Sequence, residues 1–281
     1  DTSFDPGSGA SDVIGAIVIQ TDENDNVTGI VIGGDFTSFD GQPVNRIARL
    51  NIDGSLDTTF DPGAGANARV RVLLENEEEQ HSHKVKYLYV GGDFTGPSFG
   101  AAVTNKVIVA TMATLQTKAA HGFNETDLPV DQFVVVNIGD PAFDGTFPLS
   151  AVDVANRTIS YMVTTADLAS ASVIPLGFIS PANEPVNYLA KLLGATGNPF
   201  DTSPDNKFDS FRQKAGSGPG GSVRAMHIAG DDQLLLGGDF SGAAFGQVIE
   251  TKNLTTGLAT LTTEGALNVQ ADDSMTVTGV D

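Results

Sequence analysis

The stretch Gly33-Gly34-Asp35-Phe36-Thr37 returns as Gly91-Gly92-Asp93-Phe94-Thr95 and again as Gly237-Gly238-Asp239-Phe240-Ser241, each time closing a short run of β-branched residues or leucine. Repetition on this scale encodes one supersecondary unit copied along the chain, and such units become stable by burying apolar faces against their neighbours. A residue present in every copy is then a packing residue before it is anything else. The repeat therefore predicts a scaffold or binding surface rather than an enzyme. Its glycines are expected to serve the backbone geometry of a strand end, and its aspartates to accept hydrogen bonds from backbone N–H groups of the next turn.

Working outward, copy one runs through Phe4-Asp5-Pro6-Gly7, a strand at 13–19, a polar turn at 22–26, a strand at 29–32 and, after the repeat motif, Pro43-Val44-Asn45-Arg46-Ile47-Ala48-Arg49-Leu50. Copy two restarts at Phe60-Asp61-Pro62-Gly63, with strands at 70–74 and 85–90 around an acidic turn at 75–79. Copy three takes strands at 223–228 and 234–236 and ends in Leu258-Ala259-Thr260-Leu261. Equivalent aspartates fall 58 residues apart first (93 minus 35) and 146 apart next (239 minus 93), so an insertion interrupts copy two. The third strand expected after Phe99-Gly100 reappears as Pro185-Val186-Asn187-Tyr188-Leu189-Ala190-Lys191-Leu192. Long insertions at loop tips cost little closure entropy, so the host unit still forms.

The expected organisation is a discontinuous repeat domain, residues 1–100 and 185–281, carrying an inserted β domain at 101–184. Inside the insert, alternation at 133–138 and 158–163, with Asp144-Gly145 as a hairpin turn, predicts a small antiparallel β-sandwich-like domain. Helical periodicity is scarce. The predicted class is all-β: propeller-like blades of short antiparallel strands in three repeats, with the insert as a second β domain.

Composition narrows the partners. A net charge of -20 repels phosphate backbones and anionic lipid, so neither nucleic acid nor membrane insertion is expected. The most apolar runs, 13–19 and 173–179, are strand-sized and interrupted by Gly or Pro, far short of a spanning helix. With no cysteine there is no disulfide, thiolate metal site or cysteine nucleophile. The start at Asp1-Thr2-Ser3-Phe4, without an initiator methionine or a basic segment, reads as a processed chain or a piece of something longer.

Several motifs imitate chemical sites. Gly96-Pro97-Ser98-Phe99-Gly100 has nucleophile-elbow spacing, but the equivalent loop Gly242-Ala243-Ala244-Phe245-Gly246 carries alanine in place of Ser98 and no helix follows either. Gly216-Ser217-Gly218-Pro219-Gly220-Gly221 has dinucleotide-loop spacing but leads into a strand. Asp22-Glu23-Asn24-Asp25-Asn26 offers alternating oxygen ligands, yet Val27 replaces the glycine a calcium loop needs and Gly33 stands where the closing glutamate belongs. His81-Ser82-His83 adjoins an acidic run in a variable loop, and His121 and His227 read as locally hydrogen-bonded. Thirty-five acidic residues guarantee close carboxylate pairs by abundance alone. No catalytic residue, metal or cofactor is expected, and no ligand-binding residue is assigned.

The run from Gly33-Gly34-Asp35-Phe36-Thr37 through Asn45-Arg46-Ile47-Ala48-Arg49-Leu50-Asn51 and Asp53-Gly54-Ser55-Leu56-Asp57 to Phe60-Asp61-Pro62-Gly63 resembles the delta-sixty repeat of predicted β-propeller proteins. That resemblance implies four-stranded blades in large bacterial surface proteins and in phage proteins. Copy three departs from it, with Gly257-Leu258-Ala259 in place of Asn-Arg-Ile-Ala. The insert resembles a small β domain of tailed-phage virion proteins through Ala113-Thr114-Leu115, Ala120-His121-Gly122-Phe123, Phe143-Asp144-Gly145-Thr146-Phe147, Val152, Thr158-Ile159-Ser160-Tyr161 and Ala166-Asp167.

Together these resemblances imply a non-enzymatic structural protein of a tailed-phage virion, in tail, fibre or capsid decoration, that contacts the host surface. The implied partners are other virion proteins, further copies of the chain and host-surface glycan. The alternative is a secreted or cell-surface bacterial adhesin; a polysaccharide-cleaving enzyme ranks third. Three copies are fewer than the roughly four to eight blades of a closed propeller. Either the chain is a fragment, or several chains complete a ring, or neighbouring proteins cover the terminal strands.

Overall fold

The structure is a computed structural model that describes residues 3–80, 83–95, 98–118, 121, 123, 132–136, 138–182, 187–196, 219–228, 234–239, 249–255 and 258–263. Among these residues all regular structure is β. Unit one pairs β1 (Ile14–Thr21), β2 (Val27–Gly34) and β5 (Ile47–Leu50) in the order β1-β2-β5, with a small hairpin of β3 (Ser38–Phe39) and β4 (Gln42–Pro43) beyond the repeat motif. Unit two has the same pattern in β6 (Val70–Gln80), β7 (His83–Gly92) and β15 (Leu189–Leu193). The third strand does arrive from beyond the insertion: Leu189, Ala190 and Leu192 face Gly91, Val90 and Leu88, as Ile47, Ala48 and Leu50 face Gly33, Ile32 and Ile30. Arg46 and Tyr188, just ahead of those strands, both hold a left-handed backbone, at φ 64 and 62°. The fold is all-β and propeller-like.

Three local readings change. The acidic run 75–79 is strand and not turn, and the hairpin closes between Gln80 and His83. Lysines on β7 face the glutamates: Lys84 Nζ lies 2.6 Å from Glu77 and Lys86 Nζ lies 3.6 Å from Glu75, opposite charges that favour cross-strand pairing. In unit three, β16 (Val223–Ile228) pairs with β17 (Leu234–Gly238), while β19 (Leu258–Thr263) pairs with β18 (Ile249–Thr255) instead of lying beside β17 as a third strand. In the insert, Asp144 and Gly145 end a longer connection in which the Asp144 carboxylate accepts from Ile138 N–H and the Asp140 carboxylate from Ala142 N–H, both at 3.0 Å.

Residues 101–181 supply one seven-stranded antiparallel sheet, built from β8 (Ala101–Val109), β9 (Met112–Thr117), β10 (Gln132–Val136), β11 (Gly145–Pro148), β12 (Ala151–Asp153), β13 (Thr158–Met162) and β14 (Leu168–Pro181) in the order β11-β10-β14-β8-β9-β13-β12. The register of β14 against β8 shifts between Ser172 and Gly177, across Pro175, which has no N–H to donate. Phe147 on edge strand β11 stacks 4.4 Å from Tyr161 on β13, near the other edge. The sheet must therefore curl, and its two halves enclose a core as two sandwich layers would. Phe133 meets Tyr161 edge-on at 5.2 Å, and the buried Tyr161 hydroxyl donates to Phe143 O at 3.0 Å. A second core lies between units one and two, around Val31, Ile47, Val70, Leu73, Leu88 and Val90.

Candidate interaction surface at the seams between units

Each first strand carries a bulge at the same place, between Ile14 and Ala16, between Val70 and Val72, and between Val223 and Ala225. An extra residue there re-aims one side chain. In units two and three that residue is arginine. Arg71 Nε and Nη2 donate to the two oxygens of Asp93, both at 2.6 Å, and Arg224 Nε donates to Asp239 at 2.9 Å. Unit one has Gly15 at the bulge, and Asp35 is instead held by Arg69 of unit two. Asp93 also accepts from Ser222 Oγ of unit three, the position equivalent to Arg69. The repeat-motif aspartates thus accept from guanidinium groups, and two of them tie one unit to the next. The expected turn-capping acceptors are the Asp-Pro-Gly aspartates, Asp5 and Asp61, which accept from the N–H of Gly7 at 2.9 Å and Gly63 at 3.1 Å.

Guanidinium donation holds the three motif carboxyls below the usual carboxylate range: Arg69 acts on Asp35, Arg71 on Asp93 and Arg224 on Asp239. Their backbones are fixed as well. The N–H groups of Asp35, Asp93 and Asp239 donate to the carbonyls of Val13, Arg69 and Ser222 at 2.9, 2.9 and 3.0 Å. That crossing explains the second glycine, because a Cβ on Gly34 or Gly92 would lie 2.0 or 2.2 Å from the same Val13 or Arg69 carbonyl oxygen.

The first glycine makes room for the next unit. A Cβ on Gly33 would sit 2.5 Å from Val70 Cγ1, and one on Gly91 would sit 2.7 Å from Val223 Cγ1. Val70 and Val223 are equivalent and both fully buried. Each seam is thus a valine knob seated in a glycine hole. Phe36 and Phe94 are fully buried behind the glycines; Phe240 lies outside the described residues.

The imitated sites resolve locally. Ser98 is buried, donates to Thr95 O at 2.8 Å and accepts from Asn67 N–H at 3.1 Å, and strand β8 follows it. Asp22 accepts from the N–H groups of Asn24 and Asn26 at 2.8 and 2.9 Å, a hydrogen-bonded hairpin turn that lowers its pKa through Asn26 above all. His121 Nδ1 accepts from Phe123 N–H at 3.1 Å inside the insert. His81, Gly216 to Gly218 and the 242–246 loop lie outside the described residues. Among the described residues no group of His, Asp or Glu is placed to hold a metal ion. A depression of about 220 Å³ opens where Asn45 and Arg46 of unit one, the 64–67 loop and Phe178 of the insert meet. Its polar side chains are already engaged, Asn45 Nδ2 with Ala64 O at 2.8 Å and Arg46 Nη1 with Ala66 O at 3.0 Å.

Sequence reasoning missed Arg69, Arg71, Ser222 and Arg224. The available signal was Arg69-Val70-Arg71 beside Ser222-Val223-Arg224, a matched triplet at the start of two first strands.

These seams define a propeller-type repeat protein. Residues 29–60 match the family model described as domain of unknown function (DUF5122) beta-propeller. No curated protein and no solved structure matches the chain.

Proposed function

We propose that the chain is a non-enzymatic structural protein of a tailed-phage virion, serving in tail, fibre or capsid decoration and meeting the host surface. The observation that carries this reading is how the recurrent polar groups are used: each motif aspartate is engaged by an arginine, and Asp35 and Asp93 also tie one unit to the next through Arg69 and Ser222, an arrangement that suits a load-distributing scaffold. The insert supports it in the same sense. Its phage-like motif residues Phe143, Phe147, Ile159 and Tyr161 build or line the core of the curled sheet. The delta-sixty likeness of the host units and the virion-domain likeness of the insert converge on a phage particle, with other virion proteins as partners.

Labelling purified virions with an antibody raised against the chain tests the proposal. Decoration of particles at a constant position is the expected result. Absence from particles, with the protein recovered from the bacterial surface, would replace the virion by the adhesin reading.

A further inference from the structure

The two ends of the arc of units are unequal, and each shows half of a seam. On unit one, Ile14 occupies the position of Val70 and Val223, which are 0% exposed, yet Ile14 is 39% exposed. Ile17 and Ile19 point to the same side, paired across to Ile32 and Ile30, and are 61% and 59% exposed; the residue equivalent to Ile17 in unit two, Leu73, is 8% exposed. Apolar side chains in such a row on a first strand are an unfilled contact rather than ordinary surface scatter.

At unit three the described residues leave the complementary half uncovered. Among the described residues, the only atom within 4 Å of a Cβ placed on Gly237 is Ala225 Cβ, 3.6 Å away in the same unit, whereas Gly33 and Gly91 are filled by the valine of the following unit. Leu235, on the Gly237 side of β17, is 50% exposed. Among the described residues, one end thus offers a knob without a hole, and the other a hole without a knob.

We infer that the free face of unit one docks on the free face of unit three in a second copy of this chain, so that two chains close a ring of six units. The occupant is specified by the two seams already inside the chain, where the same knob enters the same hole twice. A head-to-tail contact of this kind closes if the rotation permits. Two copies of these 281 residues supply six units, within the four to eight of closed propellers, whereas one copy supplies three and three copies nine. At the repeat motif itself no unpaired carboxylate opposes the contact. Asp239 is already held by Arg224, and the residue it would meet, equivalent to Arg69 and Ser222, is the exposed Val13. The inference does not rest on the virion reading; it concerns this chain alone.

Native mass spectrometry of the 281-residue chain at tens of micromolar is expected to give a two-chain particle. Ile17→Asp with Ile19→Asp is expected to leave single chains with an unchanged β-sheet circular dichroism spectrum. A second variant reads the contact directly, since the chain has no cysteine of its own. At the internal seams the glycine Cβ position lies 3.1 and 3.0 Å from Cβ of Val70 and Val223, slightly inside the roughly 3.5–4.5 Å of a disulfide. Ile14→Cys with Gly237→Cys should therefore oxidise to a covalent two-chain species that reverts on reduction. Single chains throughout, a two-chain particle indifferent to the Ile17 and Ile19 replacements, or a ladder of longer cross-linked oligomers would each overturn the ring.

Discussion

The seam between units one and two and the core of the inserted sheet solve the same burial problem with opposite strategies. The seam is assembled from halves: unit one supplies Ala16, Val18, Val31 and the Gly33 hole, and unit two supplies Val70, Leu73, Leu88 and Val90. The insert closes on itself, so that Phe133, Phe147 and Tyr161, from three strands of one sheet, touch one another. A self-closing sheet leaves its core complete. A chain of half-interfaces passes each defect to its neighbours and, unless the array closes, ends in an open face.

The largest break in this comparison is Phe133→Ala. Phe133 is fully buried and touches Phe123, Phe147 and Tyr161, so truncation opens a cavity worth about 3–5 kcal/mol. The damage should stay inside the insert, because β7 and β15 pair without it. Hydrogen exchange read by mass spectrometry is expected to show loss of protection across 101–181 and none in β1, β2 or β7. Matching loss in those strands would mean that the two cores melt as one.

Next is Gly91→Val. The new Cβ would meet Val223 Cγ1 at 2.7 Å and Val72 Cγ1 at 2.8 Å, between side chains stiffened by β-branching. Overpacking of this kind costs about 1–3 kcal/mol. Here the cost should appear one unit away, as lost protection of β16 and β17, with the insert untouched.

How far the sequence revealed these two regions follows from the same difference. Repetition exposed the units, and the match of Pro185-Val186-Asn187-Tyr188 to Pro43-Val44-Asn45-Arg46 located a strand whose partner lies about a hundred residues earlier. Hydrophobic alternation cannot by itself identify a neighbour; duplication could, because unit one spells out the pairing. The Asp–Arg ties stayed hidden because a bulge alters which way residue 71 or 224 points, and alternation carries no mark of a bulge. The acidic run was misread as a turn because its stabilising lysines stand on the opposite strand. Beyond the 223–238 hairpin the repeat signal weakens, and there the expected third strand pairs elsewhere.

Asp93→Asn tests the polar half of the seam. Arg71 and Ser222 both donate to this partly exposed carboxylate, and its loss should cost about 1 kcal/mol, the upper range for an exposed pair. The sign with pH is fixed. Arg71 depresses the folded pKa of Asp93, so the pair's stabilisation is fully present above the unfolded value of about 3.9 and is lost as pH falls through the lower folded value. Thermal midpoints between pH 6 and pH 3 should be flat and then fall below about pH 4, and Asp93→Asn should remove part of that fall. An unchanged acid limb in the variant would assign the lability to other carboxylates.

The smallest expected effect is the sharpest comparison. Gly237→Val makes the same chemical change as Gly91→Val at the equivalent position, but the added Cβ meets only Ala225 Cβ at an ordinary 3.6 Å among the described residues. Among the described residues nothing need move, and valine suits a strand better than glycine, so stability should change by no more than about 0.5 kcal/mol. The measurement belongs in the Ile17→Asp, Ile19→Asp background, where association does not contribute, with urea midpoints compared against Gly91→Val in that background. In the otherwise unaltered chain, Gly237→Val fills the hole that a second copy would use and should abolish the two-chain particle. A single substitution would then be silent in folding and decisive in assembly, the signature of a seam whose other half lies on another molecule. Equal destabilisation by both valines would show instead that this chain already covers the face of unit three.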